Sequence, residues 1–187
     1  MAKFFGNLNA VMIVGLIAAL ALMFGLHGDM VTGNSIGRWL HLFFGVLWIG
    51  LLYYLNFVQV PLMPTIPDEL KPAVGKHIAP KVLFYFRWAA LLTVVTGLYV
   101  AWVSGWVHQA MTLQEPYAMI GAGMWIAIVM AANVWFIIWP KQKRVLGIVE
   151  ATADEKAAAG KIALMASRTN VLLSLPMFYA MVNANAG

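Results

Sequence analysis

One histidine lies inside a segment that is long and apolar enough to cross a lipid bilayer. The segment covers residues 37–60, GRWLHLFFGVLWIGLLYYLNFVQV, and His41 lies about one turn from its start. An ionisable side chain within a membrane span is costly, so such a residue is by default a candidate for a functional site. Imidazole is a common axial ligand of haem iron, and it also binds copper and zinc. The chemistry indicated by His41 is therefore haem or metal binding.

Two further residues share a helix face with His41. Gly45 follows it by four positions and Trp48 by seven, and this spacing places all three on one side of a helix. A glycine one turn from an imidazole leaves room for a flat ligand such as a porphyrin, which Gly45 and Trp48 would line. The same glycine would equally let a second helix approach closely, with His41 hydrogen-bonding across the helix interface. The sequence leaves both alternatives open.

The composition indicates which elements must position these residues. Of the 187 residues, 63% are hydrophobic and 10% are charged, whereas a soluble domain is typically about 45–50% apolar and about 25% charged. Because the charges are too few to cover a soluble surface, we predict an all-α integral membrane helical bundle, formed as one domain over residues 1–187. The chain has no cysteine, which excludes disulfides, thiolate metal sites and thioether-bound haem. A b-type haem held between helices needs no cysteine.

Apolar stretches predict about five transmembrane helices. Their ranges are 8–26, 37–60, 81–106, 116–139 and 164–182. Prolines should end the second span at Pro61 and the fourth at Pro140, and Pro176 should kink the fifth. Two polar residues of the later spans, Asn133 and Asn170, are expected to form hydrogen bonds between helices.

Basic residues predict how the bundle lies in the membrane. With five spans, all of the 12 Lys and Arg residues except Arg38 fall on one side. The positive-inside rule then places the N-terminus in the cytoplasm and the chain in the bacterial inner membrane, with membrane lipids around it. A nucleic-acid partner is not expected, because the basic residues lie at membrane edges rather than in one patch. Arg87, in the first two turns of the third span, is interpreted as an anchor that reaches the interface.

This topology places three histidines toward the outer face. His41 lies within the bilayer, and His27 and His108 lie at the outer ends of the first and third spans. His77 lies on the inner side, about 30 Å away. His27, His108 or a methionine is therefore the candidate for a second haem ligand, and Arg38 could meet haem propionates. Histidines at helix ends are also ordinary surface residues, which is the alternative for His27 and His108.

Four stretches carry a family resemblance: RWLHLFFGVLWIG, FRWAALLTVVTG, NVWFIIWPKQKRVLG and ASRTNVLLSLPMFYAMV. In this order they resemble the membrane domain of the bacterial membrane-bound urate oxidase family. The first stretch also resembles the membrane-bound protoporphyrinogen oxidase family and the copper-resistance D family. In the protoporphyrinogen oxidase family a histidine of the matching helix is thought to hold haem b, and the corresponding residue here is His41. Urate oxidases of this type carry a cytochrome c domain, so the resemblance implies redox chemistry with a cytochrome c, here a separate protein.

Two functions are compatible with these features. The first is a haem-b membrane protein in electron transfer or oxidation, linked to a periplasmic cytochrome c; whether the chain is itself an enzyme is left open. The second is a cofactor-free accessory subunit of a larger membrane complex. Such a subunit, or an oligomer of the chain, would pack through the small residues of the fourth span, namely Gly121, Gly123, Ala127 and Ala131. A copper or ion transporter would need more polar residues along a path through the membrane.

Overall fold

The computed structural model describes residues 1–184, and these residues form helices without any β-strand. Within this part of the chain, four helical stretches are long and apolar enough to cross a membrane: Leu8–Met30, Gly33–Thr65, Lys71–Val103 and Ala118–Val145. The prediction of an all-α membrane bundle is confirmed. The chain forms two compact units, which are Met1–Ile36 and the part that begins at Gly37.

The first unit contains one apolar span and a short helix before it. Helix α1 (Ala2–Phe5) is followed by α2 (Leu8–Leu22), a π-helical segment (Met23–His27) and a 3₁₀ turn (Gly28–Met30). Asn7 caps α2, because its side chain accepts a hydrogen bond from the backbone N–H of Ala10 at 3.2 Å and so pairs one of the free amides at the helix start. Helix α2 is apolar on every face, which is typical of a membrane span.

The second unit contains the remaining helices. In chain order, they are α3 (Gly33–Tyr53, which begins in the first unit), α4 (Val60–Leu62), α5 (Lys71–Ala73), α6 (Ala79–Val103), α7 (Val107–Met111), α8 (Ala118–Ala132), α9 (Trp139–Val145) and α10 (Ala153–Asn183). Large apolar side chains from four of them form the core. Trp48 and Leu52 of α3, Phe86 of α6 and Met130 of α8 are each at most 1% exposed, and Met177 of α10 packs against the same cluster.

Proline explains where the long helices become irregular. Among the described residues, three π-helical segments end two residues before a proline: Tyr54–Gln59 before Pro61, Val74–Ile78 before Pro80 and Asn133–Ile138 before Pro140. Proline lacks the N–H that a regular turn needs, and its ring clashes with the carbonyl four residues earlier. A widened π turn relieves both problems, and membrane helices tolerate proline through such local changes. The second and fourth spans therefore continue past their predicted ends, to Thr65 and Val145.

The predicted fifth span lies within α10, a single helix of 31 residues that contains Pro176. It is not among the four apolar spans, because polar residues such as Arg168 and Asn170 lower its hydropathy. It runs antiparallel to α8, since Asn170 contacts Met130 near the end of α8 whereas Ala180 contacts Gly123 near its start. In the second unit, this more polar helix thus packs against the strongly apolar helix α8.

A capping box starts α10. The side chain of Thr152 accepts a hydrogen bond from the backbone N–H of Glu155 at 3.3 Å, and a carboxylate oxygen of Glu155 accepts one from the backbone N–H of Thr152 at 2.8 Å. These two bonds pair amides that the first turn of a helix leaves free. The sequence Thr-Ala-Asp-Glu therefore fixes where the helix begins.

Asparagine side chains join α10 to α8 inside the bundle. The Nδ2 atom of Asn133 donates to the carbonyl of Ala166 and to Oδ1 of Asn170, both at 2.8 Å. The Nδ2 atom of Asn170, which is fully buried, donates to the carbonyl of Met130 at 3.0 Å. The prediction that Asn133 and Asn170 form hydrogen bonds between helices is confirmed.

The small residues of α8 pack inside the chain. A Cβ at Gly121 would lie 1.9 Å from the carbonyl oxygen of Ala110 in α7, and a Cβ at Gly123 would lie 3.0 Å from the Cβ of Ala180 in α10. Ala127 and Ala131 are each 7% exposed. The prediction that this face contacts another protein is therefore wrong, because helices of the same chain already cover it.

Candidate functional site

Helices α3 and α6 approach closely around His41. A Cβ at Gly37 of α3 would lie 2.8 Å from Cδ1 of Tyr99, and a Cβ at Gly45 would lie 3.7 Å from Cγ2 of Thr93. Both Tyr99 and Thr93 belong to α6, so the two glycines hold α6 near the backbone of α3 on either side of the histidine. Small residues allow this approach in membrane bundles.

The imidazole of His41 lies against the backbone of α6 at Gly97. A Cβ at this glycine would lie 2.8 Å from Cε1 and 3.0 Å from Nδ1 of His41. Real Cβ atoms essentially never come as close as 2.8 Å to another side-chain atom, so a larger residue would displace the ring or the helix. The space that His41 occupies therefore depends on the absence of a side chain at position 97.

Hydrogen bonds to α6 determine which ring nitrogen of His41 carries the proton. Nδ1 lies 2.8 Å from the carbonyl oxygen of Thr93 and 3.4 Å from Oγ1 of Thr96. A carbonyl oxygen only accepts, so Nδ1 must be the donor, and in the neutral ring Nε2 then holds the lone pair. Within residues 1–184, Nε2 has no hydrogen-bond partner. It is therefore the nitrogen that can bind a metal.

The two threonines are themselves held in place by their own helix. Thr93 donates from Oγ1 to the carbonyl of Ala89 at 2.7 Å, and Thr96 donates to the carbonyl of Leu92 at 2.6 Å. Because the hydroxyl proton of Thr96 points to α6, its lone pairs are left for Nδ1 of His41. Thr93, Thr96 and Gly97 were not singled out from the sequence, although their i, i+3, i+4 spacing in TVVTG places two polar residues and a glycine on one helix face.

The other residues predicted on the face of His41 have different surroundings. Gly45 faces Thr93, so α6 fills the space beside it, as the close-approach alternative requires. Trp48 is fully buried, and its Nε1–H has no acceptor among the described residues. Leaving a buried donor unpaired costs about 1–3 kcal/mol, and Trp48 is part of the hydrophobic core. Arg38 is exposed on α3, one turn before His41.

The remaining histidines are exposed in the described part of the chain. His108 lies in α7, His77 in the π-helical segment that precedes α6, and His27 at the end of the π-helical segment of the first unit. Residues 1–184 contain no group of three or more His, Cys, Asp or Glu side chains that could hold a metal ion. A site built on several protein ligands, as for zinc or copper, is thus not found there. His41 alone combines partial burial with a fixed tautomer.

These features define a multi-pass helical membrane protein that holds one imidazole between two closely packed helices. The model of the family described as urate oxidase N-terminal matches residues 88–186, which is just over half of the chain, and the chain belongs to this family. The match confirms the resemblance to the urate oxidase membrane domain. It includes Thr93, Thr96 and Gly97, whereas His41 precedes the matched segment. The searches among curated proteins and among solved structures found no match.

Proposed function

We propose that the chain is a membrane-embedded haem-b protein that takes part in electron transfer or oxidation linked to a separate cytochrome c. His41 would be an axial ligand of the iron through Nε2. The observation that carries the proposal is the 2.8 Å hydrogen bond from Nδ1 of His41 to the carbonyl of Thr93. Histidines that bind metals usually donate their second N–H to a carbonyl or carboxylate, which orients the ring and increases its basicity.

The residues around His41 fit a group that is bound through one histidine. Thr93 and Thr96 hold the ring in one orientation, and Gly97 provides the space for it. Haem b supplies one-electron oxidation and reduction, with a potential set by its axial ligands and burial. For the second axial position, His108 and the methionines of the second unit stay candidates, and Arg38 stays a candidate partner for the propionates.

The proposed location is the bacterial inner membrane, with the N-terminus in the cytoplasm. The strong concentration of Lys and Arg on one side supports this orientation. His41 would then lie toward the periplasmic face, because it is near the start of a span that begins on that side. A periplasmic cytochrome c could therefore exchange electrons with a haem at this position.

The test is the visible spectrum of the purified protein, reduced and oxidised, together with a pyridine haemochrome assay. The wild-type protein from cells supplied with haem is expected to show b-type absorption at about one haem per chain. His41→Ala should lose it. His77→Ala is the matched control, since it removes an exposed imidazole from the same chain. A His41→Ala protein with undiminished haem content would contradict the proposal.

A cofactor-free structural subunit is the second candidate, and the surroundings of Gly45 favour it. Thr93 of α6 covers this glycine, so the helix interface is closed where a porphyrin could have lain. In this case His41 serves as a hydrogen-bonding residue between α3 and α6. A colourless wild-type protein, purified from cells in which haem is abundant, would support this candidate over the first.

A further inference from the structure

Arg87 is a charged side chain within a membrane-spanning segment. It lies on α6, inside the apolar span Lys71–Val103. In residues 1–184 it forms no ion pair, since the salt bridge found there joins Lys71 to Asp68. A charge within a span is costly and is usually paired with another group. The guanidinium of Arg87 therefore needs a partner that the described protein residues do not provide.

Aromatic rings hold the guanidinium in place. Its Cζ lies 4.0 Å from the ring centroid of Trp139 and 5.3 Å from that of Phe84, which are cation–π distances. The indole N–H of Trp135 donates to the backbone carbonyl of Arg87 at 3.0 Å. Arg87 is thereby fixed between α6 and the start of α9, and a side chain that is already ordered loses less entropy when it binds a ligand.

Most hydrogen-bond donors of this guanidinium are unused. Arginine has five N–H donors in a planar fork, and the described residues accept from Arg87 only through the carbonyl of Leu83, at the long distance of 3.4 Å. A planar fork matches the oxygens of a phosphate or carboxylate, to which it can form two parallel bonds. An oxyanion is therefore the kind of partner that suits these donors.

The surroundings distinguish a lipid phosphate from a dissolved anion. Phe84 is 45% exposed and Trp88 is 42% exposed on the same helix, so apolar surface suited to an acyl chain lies beside the guanidinium. Lys141 and Lys143 of α9 follow Trp139 by two and four residues and add positive charge to the same short helix. Basic pockets between membrane helices are typical sites for anionic lipid headgroups.

We propose that Arg87 and Trp139 bind the phosphate group of an anionic phospholipid. Arg87 donates hydrogen bonds to the phosphate oxygens, and the ring of Trp139 supports the guanidinium from behind. The acyl chains lie along the exposed faces of Phe84 and Trp88. The proposal does not depend on haem binding, since it rests on residues other than His41 and its partners.

The experiment measures binding of phosphatidylglycerol to delipidated protein by native mass spectrometry, with phosphatidylcholine as the zwitterionic comparison. Arg87→Ala is expected to weaken phosphatidylglycerol binding by about tenfold, since hydrogen bonds to a charged group are lost. The affinity of Arg87→Lys for phosphatidylglycerol should lie between those of the wild type and Arg87→Ala, because lysine keeps the charge but not the planar fork. Lys81→Ala is the matched control. It removes one positive charge from α6 at an exposed position and should bind as the wild type does.

Several outcomes would overturn the proposal. One is that Arg87→Ala binds phosphatidylglycerol with the same affinity as the wild type. Another is that Lys81→Ala loses as much affinity as Arg87→Ala, which would indicate a general effect of charge. Displacement of the lipid by millimolar inorganic phosphate would assign the site to a dissolved anion. Loss of haem from Arg87→Ala with unchanged lipid binding would assign Arg87 to a propionate. If Arg87→Ala does not fold, Trp139→Leu is the alternative test. It keeps the charge of Arg87 but removes the supporting ring, and it should still weaken lipid binding.

Discussion

The Nδ1 atom of His41 in α3 lies 2.8 Å from the carbonyl oxygen of Thr93 in α6, although the two residues are 52 positions apart in the chain. Hydrogen bonds between membrane helices contribute on average only about 0.6 kcal/mol, and at most about 1.7 kcal/mol. The contribution of this bond to stability is therefore small. The greater effect of this bond is on the orientation of the ring and on which nitrogen is free.

Gly97→Ala should disturb the position of the His41 ring and so lower haem affinity. The new Cβ would lie 2.8 Å from Cε1 of His41, so the ring must move away from the carbonyl of Thr93. Changes to groups that orient a metal-binding histidine typically lower metal affinity about 10- to 100-fold. We expect the haem affinity of Gly97→Ala to fall by a factor in this range. The measurement is haem affinity by titration of the apoprotein.

Gly50→Ala is the control for this substitution. A Cβ at Gly50 of α3 would have no neighbouring atom within 4 Å, and alanine is a better helix former than glycine. Haem affinity should therefore stay at the wild-type value. An equal loss of haem affinity in Gly50→Ala and Gly97→Ala would mean that the second change acts through the helix rather than through His41.

Asn170→Ala should destabilise the bundle. This side chain is fully buried and links Asn133 to the carbonyl of Met130, and removing it leaves buried groups without partners. The expected loss is about 1–3 kcal/mol in the free energy of unfolding, measured by denaturant titration in detergent micelles. Asn183→Ala, at an exposed position of the same helix, should change it little. Similar values for the two variants would show that the hydrogen bonds between α8 and α10 contribute nothing measurable.

Glycine substitutions in α8 should rank by the atoms that a new Cβ would meet. At Gly121 that atom is the backbone oxygen of Ala110 at 1.9 Å, so α7 itself must shift, whereas at Gly123 it is the Cβ of Ala180 at 3.0 Å. Overpacking typically costs about 1–3 kcal/mol of stability. Gly121→Ala should therefore destabilise the protein more than Gly123→Ala does. Gly160→Ala, with its nearest contact at 3.9 Å, is the control. Thermal unfolding, monitored by circular dichroism, gives the order of stability of the three variants. A Gly121→Ala protein more stable than Gly123→Ala would contradict the packing of α7 on α8.

The start of α10 should loosen in acid. The hydrogen bond from the backbone N–H of Thr152 is the main cause that lowers the pKa of Glu155 below its ordinary value. Because the folded pKa lies below the unfolded one, the stabilisation is complete above the unfolded pKa and is lost as the pH falls through the folded pKa. Hydrogen exchange of the first turn of α10, corrected for intrinsic rates, should therefore be less protected at about pH 3 than at about pH 6.

Glu155→Gln is the control for this pH effect. Glutamine can still accept the hydrogen bond of a capping box, but it does not titrate. The difference in protection between the two pH values should therefore disappear in this variant. If the difference persists, another group near the helix start is responsible. Thr152→Ala should lower protection at both pH values, since losing such a cap costs about 1 kcal/mol.

The sequence was sufficient for the fold class and for the one histidine inside the bundle. Hydropathy alone locates the long apolar spans, and the cost of an intramembrane imidazole draws attention to His41. The sequence was not sufficient for the role of Gly45. Both a porphyrin and a helix favour a small residue, and the answer depended on Thr93 of α6, which no local pattern in α3 specifies.

The partners of small and polar residues were equally hard to predict. Gly121 and Gly123 were correctly identified as packing residues, but they face α7 and α10 of the same chain rather than another protein. Thr93 and Gly97 act on His41 only because α6 runs beside α3. A spacing pattern shows that a helix face is suited to close contact, whereas the choice of contact follows from tertiary structure.

The π turns before Pro61, Pro80 and Pro140 have a consequence for the angular positions of the side chains beyond them. Each such turn adds one residue to the helix, and one residue corresponds to a rotation of about 100°. A helical wheel drawn through the whole of Gly33–Thr65 as one regular helix is therefore out of phase after Tyr54. Deleting a single residue from Tyr54–Gln59 would restore a regular α turn and leave the later side chains on the faces they have now, so an alignment gap here marks the loss of the π turn rather than a change of face.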